Sequence, residues 1–214
     1  MSKKLLLVGG GGHCKSVLDT VLNSKQYTDV GIIDMNEPIG STMFGVPIIG
    51  RDSDLTSLFD EGYQYAFVTI GSVGNPALRI KLYNLLEEIG FQIPTIFDHS
   101  AEISNHVIIE SGVFIGKNAI VNAGTLIKKG AIVNTGSIIE HDCRIESFVH
   151  IAPGAVLSGA VSIGKSTHIG SNSTIKQQVS IGSNSIIGIG SIVLNNLSGH
   201  VVAYGNPCKE IRSL

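Results

Sequence analysis

Residues 138–143 read IIEHDC, and Glu140, His141 and Asp142 set an imidazole between two carboxylates. A neutral imidazole titrates near physiological pH, so it can take a proton from a group that must lose one. A carboxylate held against its other ring nitrogen would fix the tautomer and stabilise the imidazolium as it forms. Adjacent strand residues point to opposite faces, so Asp142 can serve His141 only if the pair sits at a corner. A second constellation lies near the start of the chain. KKLLLV (3–8) reads as a buried strand, GGGG (9–12) and His13 follow, and CKSVLDTVLNSKQ carries Val17, Leu18, Val21 and Leu22 at helical spacing. Strand, glycine turn and helix N-terminus together make a cradle for an anionic group. The dinucleotide fingerprint G-x-G-x-x-G fits Gly9 and Gly11 but puts Cys14 at its third position, so NAD is not supported.

The elements that would position these groups differ between the two ends. In the front part VGIID is a second strand ending in Asp34, where a ribose-binding carboxylate would sit, and AFVTIG (66–71) is a third ending in Gly71. Asn75 and Pro76 suit the start of the helix ALRIKLYNLLEEI, which Gly90 closes. This is a Rossmann-like α/β unit, predicted to span residues 1–95. Arg79 on that helix is either a phosphate partner or a solvated surface cation.

Beyond it the sequence is periodic. Stepping by six from Ile103 to Val193 meets sixteen positions, and all are Ile, Val or Leu. Four residues after each aliphatic the side chain is small or β-branched nearly throughout, as at Ala119, Thr125, Ala131, Ser137, Cys143 and Ala155. A fixed six-residue period predicts a parallel β-helix over 96–214, with three hexads per eighteen-residue coil. The aliphatics then point inward, and glycines such as Gly116, Gly164, Gly170, Gly182 and Gly188 are expected to relieve the turns. Eighteen residues beyond His141 lies Gly159, and eighteen beyond His150 lies His168, so each pair should stack.

Composition narrows the classes. Among 214 residues the formal net charge is −2 and only 15% are charged. A pI near 6.4 gives no basic footprint for nucleic acid. The mean hydropathy of +0.30 is high, yet no apolar run approaches the roughly 20 residues of a membrane span. The first apolar run is too short for a signal peptide. Cys14, Cys143 and Cys208 are scattered without C-x-x-C spacing, which favours reduced thiols and a cytoplasmic location.

The hexad array resembles the left-handed β-helix acyltransferases. Joined to a Rossmann-like unit with G-G-x-G-H, it is similar to the sugar O/N-acyltransferases of the sialic acid O-acetyltransferase and UDP-4-amino-sugar N-acetyltransferase type. The resemblance implies a left-handed helix, a homotrimer with sites between subunits, acetyl-CoA as co-substrate and no metal. It places Gly11, Gly12 and His13 against a nucleotide sugar, with Asp34 at its base or ribose and Gly71 lining the same pocket. Where the family often has a second acidic residue, this chain has Met35. His141 is implied as the catalytic base, with Asp142 supporting it, and His150 as a contact to acetyl-CoA. By coil arithmetic the Gly159 N–H is then expected at the thioester oxygen. Ser171 and Ile189 align along the CoA cleft, and GNPCK (205–209) is close to the G-x-P-A-K that covers CoA, with Lys209 or Arg212 for a phosphate. His168 has no family role and is expected at the surface.

The implied reaction is N-acetylation of a UDP-linked 4-amino-deoxysugar, with O-acetylation of sialic acid or a similar sugar as the alternative. Two other classes share parts of the pattern. One is a γ-carbonic-anhydrase-like zinc enzyme, whose close H-x4-H pair is absent because His141 and His150 are nine apart. The other is a non-catalytic nucleotide-sugar-binding scaffold, which would need neither Glu140-His141-Asp142 nor GNPCK.

Overall fold

The structure is a computed structural model that describes residues 3–214. Its contacts divide the chain into two compact units. One comprises the residues up to Gly71 together with Ala77–Ile96, and the other Ser72–Pro76 with Phe97–Leu214. The loop 72–76 therefore belongs with the β-helix rather than with the unit that precedes it in sequence. One reason is visible: the Ser72 carbonyl lies 2.8 Å from Nδ1 of His150.

The front unit is an α/β layer structure. β1 (Lys4–Val8), α1 (Gly12–Ser24), β2 (Asp29–Ile33), β3 (Thr42–Met43), β4 (Val46–Gly50), α2 (Leu55–Asp60), β5 (Tyr65–Val68) and α3 (Ala77–Ile89) follow in order. The sheet runs β3-β4-β2-β1-β5, with β1 parallel to both β2 and β5. Leu5, Leu6, Leu7 and Val8 are fully buried, which is why β1 reads as a continuous apolar run. Val17, Leu18 and Val21 turn one face of α1 inward. All the turns that follow β1, β2 and β5 therefore open at the carboxyl edge of the parallel strands, where such sheets bind ligands.

The second unit is the β-helix that the hexads predict. Two-residue strands pair in parallel with the strands eighteen residues away, for example Ile120↔Ile138, Arg144↔Ser162 and His150↔His168. They form three sheets, one of which ends in Val201–Gly205 and the antiparallel Cys208–Ser213. Thus the stack gains one further rung after the hexad step fails, and the tail covers its edge. From Ile115 to Val193 every sixth aliphatic is buried in one continuous core. Buried hydroxyls in the small-residue column are hydrogen-bonded, as Thr167 Oγ1 donates to the Gly182 carbonyl at 2.8 Å and Ser173 Oγ to that of Gly188 at 2.9 Å.

The expected role of the glycines needs correcting. Gly116, Gly164, Gly170, Gly182 and Gly188 do not have positive φ. A Cβ on Gly164 would lie 2.5 Å from the Ser183 nitrogen and one on Gly170 2.6 Å from the Gly188 carbonyl carbon, so these glycines admit the backbone of the next coil. The turn itself sits two residues later. Every sixth residue from Gly112 to Gly190 has φ between 54° and 76°, including Asn118, Asp142, Ala160 and Asn172. That is the left-handed region, which Gly, Asn and Asp enter most readily.

Candidate active site

His141 and Asp142 form one of these corners. Asp142 has φ 60°, and this bend brings two consecutive side chains together: His141 Nδ1 lies 2.8 Å from Asp142 Oδ2. With Nδ1–H donating to the carboxylate, Nε2 carries the lone pair. Both side chains are exposed. Glu140 faces elsewhere, its carboxylate accepting from Asn122 Nδ2 at 3.0 Å. One coil further on, a Cβ built on Gly159 would lie 2.6 Å from both Nε2 and Cε1 of His141. The missing side chain at Gly159 is thus what gives the imidazole its space. The structure brings His141, Asp142 and Gly159 into one corner stack.

In the front unit the glycine turn and the end of β2 are tied to each other. Gly9 has φ 111°, its N–H bonds the Ile33 carbonyl at 2.8 Å, and its carbonyl accepts from Thr69 Oγ1 at 2.5 Å. Asp34 Oδ2 accepts the Gly10 N–H at 2.6 Å, while Oδ1 accepts those of Asn36 at 2.8 Å and Glu37 at 3.0 Å. Burial opposes ionisation of Asp34, but these three bonds and the Arg51 guanidinium hold its carboxyl below the ordinary range. Arg51 also donates to the carbonyls of Asp34 and, at 2.8 Å, Glu37. Asp34 is therefore a clamp on the glycine turn, with one oxygen bonded to two backbone N–H groups and the other to one.

Gly11 caps α1 without a side-chain partner, and neither Gly11 nor Gly12 has any atom within 4 Å of where a Cβ would be. The helix N-terminus is open at this point and suits an anion. Gly71 meets this region through His13, whose Cβ would be 3.4 Å from a Cβ at Gly71. His13 is mostly buried. Burial, then the positive charge of Arg79, pushes its pKa down to about 4, so the imidazole is neutral at pH 7. Arg79 is 3% exposed, which excludes the solvated-surface reading, and burial lowers its own pKa to about 10. A cavity of about 540 Å³ lies over Gly10, Gly11 and Gly12, with Lys15, Glu37 and Phe44 among its walls. Lys15, Glu37 and Phe44 carry no sequence signal, because isolated charged or aromatic residues in α1, the β2–β3 loop and the β3–β4 hairpin look like ordinary surface. Met35 lines a second cavity, together with Asp34.

The residues expected at CoA all belong to the second unit. Ile189 is 80% exposed, Lys209 is exposed and Ser171 half-buried. His150 is buried, with Nδ1 on the Ser72 carbonyl and Nε2 3.3 Å from Asn134 Nδ2. His168 is also buried rather than on the surface, its ring edge-on to that of His150 with centroids 4.9 Å apart. It is buried because the eighteen-residue register stacks it on His150 in the same sheet.

Comparison with known proteins bears on both units. The PglD N-terminal domain family matches residues 4–86, and the hexapeptide repeat of succinyl-transferase matches 106–141 and 160–195. The acetyltransferase domain of PglB from Neisseria gonorrhoeae, in complex with acetyl coenzyme A, is 33% identical with a TM-score of 0.92, over 99% of this chain and 100% of that one. PerB from Caulobacter crescentus, in complex with CoA and GDP-perosamine, is 32% identical with a TM-score of 0.90, over 98% of this chain and 97% of that one. WeeI from Acinetobacter baumannii shares the fold at 24% identity, with a TM-score of 0.87 over 98% of this chain and 100% of that one.

Proposed function

The chain belongs to the hexapeptide-repeat sugar N-acetyltransferases of the left-handed β-helix type, and from that premise we propose that it moves the acetyl group of acetyl-CoA onto the 4-amino group of a nucleotide-linked deoxysugar, with His141 as general base. The observation that carries this reading is the His141–Asp142 pair, 2.8 Å apart at an exposed corner. Asp142 holds the proton on Nδ1, so Nε2 accepts one from the amine as its nitrogen attacks the thioester carbonyl. The C–N bond forms, the C–S bond breaks, and His141 returns the proton to the departing thiolate. The Gly159 N–H is assigned to the carbonyl oxygen as negative charge grows on it.

In the front unit Gly11, Gly12 and His13 are assigned to the diphosphate, at the uncapped start of α1. Met35 and Gly71 line the nucleotide site, while Asp34 acts through the turn it clamps. The residues on the second unit fit a CoA arm. Ile189 offers exposed apolar surface to pantetheine, Ser171 its backbone, and Lys209 a charge for phosphate. His150, with both ring nitrogens engaged, is assigned to shaping the wall beside the acetyl group. The working assembly is a homotrimer; a sedimentation mass of one subunit would contradict that.

The direct test is thiol release from acetyl-CoA in the presence of a panel of nucleotide-linked 4-amino sugars. His141→Ala should lower kcat by roughly 10²- to 10⁴-fold with an unchanged melting temperature. Turnover that survives in the variant removes His141 from the mechanism.

A further inference from the structure

We propose that the narrow cavity beside Asp34 takes a guanine ring, read by the Asp52 carboxylate, so that the sugar substrate is guanosine-linked rather than uridine-linked. This rests on the nucleotide-sugar reading and narrows it.

The cavity measures about 130 Å³, and its walls include Ile33, Met35, Ile70, Leu78, Leu82 and Asp52. It adjoins Gly9, at the start of the glycine turn, so a nucleotide whose diphosphate sits at α1 can reach it with its base. Met35 and Leu78 are 60% and 54% exposed, large apolar side chains left in water at the ends of β2 and α3. A flat aromatic ring laid in the cavity would cover them, whereas a sugar would leave apolar surface against hydroxyls. The wider 540 Å³ cavity, with Lys15 and Glu37, is the more polar of the two.

What the cavity can read follows from which polar groups are still available. Asp34 is committed to three backbone N–H groups, and the N–H groups of Asn36 and Glu37 are consumed in the same bonds. Among the described residues no hydrogen bond or ion pair engages the Asp52 side chain. Burial, and then the charge of Asp34, raises its pKa, with Lys81 opposing. An ionised carboxylate only accepts hydrogen bonds, and its two oxygens suit two parallel donors. Guanine offers that pair on one edge, its N1–H beside its N2 amino group. Uracil presents a single N–H flanked by two carbonyls, which would face the carboxylate oxygens and be repelled. Cytosine and adenine each set an amino group beside an unprotonated ring nitrogen, so one carboxylate oxygen would meet a lone pair.

The test is calorimetric titration of the full chain with GDP, UDP, CDP and ADP, repeated on Asp52→Asn. GDP is expected to bind at least tenfold more tightly than each of the others. The Asp52→Asn variant, whose amide also donates, is expected to cut that margin at least fivefold. Tighter binding of UDP, CDP or ADP than of GDP in the wild type overturns the proposal whatever the variant does. So does an unchanged margin in a variant with wild-type melting temperature. If none of the four binds, the nucleotide-sugar reading falls with it; binding of the wrong base leaves that reading standing.

Discussion

The two units place chemistry by opposite means. In the front unit each contributing turn is a separate construction: Gly9 needs φ 111°, Asp34 clamps Gly10, and Arg51 staples the segment after β2. In the β-helix one corner is built over and over, and a residue acquires a role by departing from what that corner usually holds. Asp142 stands where Gly124, Gly130 and Gly136 stand in neighbouring hexads, with the same left-handed backbone. Gly159 differs from Gly116, Gly164, Gly170 and Gly182 in what its missing side chain clears, an imidazole rather than a backbone. Repetition makes function readable as an exception, while the irregular unit offers no background against which an exception would show.

The contrast within the β-helix gives the largest expected effect. Gly159→Ala should displace His141 and lower kcat by about a hundredfold, the scale of a 1 Å misplacement, while leaving the melting curve close to wild type. Gly164→Ala should do the reverse, lowering the melting temperature because its Cβ would meet the Ser183 backbone, with kcat of the folded fraction retained. Equal kcat losses in the two variants would erase the distinction between the two kinds of glycine.

Between the units the prediction is a split in kinetic constants. Asp34→Ala releases the Gly10, Asn36 and Glu37 amides and should raise KM for the nucleotide sugar roughly tenfold, as loss of charged hydrogen bonds does, with kcat nearly unchanged. A fall in kcat at constant KM would place Asp34 in the chemical step instead. A separate effect is in stability. His13 has a folded pKa near 4 against an ordinary value of 6.5. Above pH 6.5 it is neutral in both states and its contribution is fully present. As pH falls from 6.5 to about 4 the unfolded chain takes up a proton that the folded chain resists, and on the order of 3 kcal/mol is lost. Denaturant titrations of wild type and His13→Asn at pH 7 and pH 4.5 should differ by most of that amount; parallel curves would mean His13 is not buried neutral.

How much could be read in advance follows the same division. The hexad aliphatics, the eighteen-residue stacking of His141 under Gly159 and the glycine turn after β1 all follow from spacing, because each is set by local periodicity. The turn's real position, two residues beyond the coil glycines, was missed although ten of its fourteen residues from Gly112 to Gly190 are Gly, Asn or Asp, because Phe148, Ala160, Ser166 and Gln178 break the column. His168 read as a surface residue, and Arg79 as either a phosphate partner or a surface cation, because register and helix packing, not their own type, bury them. Asp34 read as a ligand group, and the bonds from its carboxylate to the Gly10, Asn36 and Glu37 amides left no mark in the sequence.

The constant offset between paired strands also makes this chain a ruler with a single graduation. Excising or duplicating one whole coil would return every later residue to its own face, merely shortening or lengthening the column. Losing a lone hexad would instead rotate everything downstream by a third of a revolution, separating His141 from Gly159 if the cut fell between them while leaving the aliphatic interior filled. The fold would survive such an accident, and the proposed catalytic corner would not.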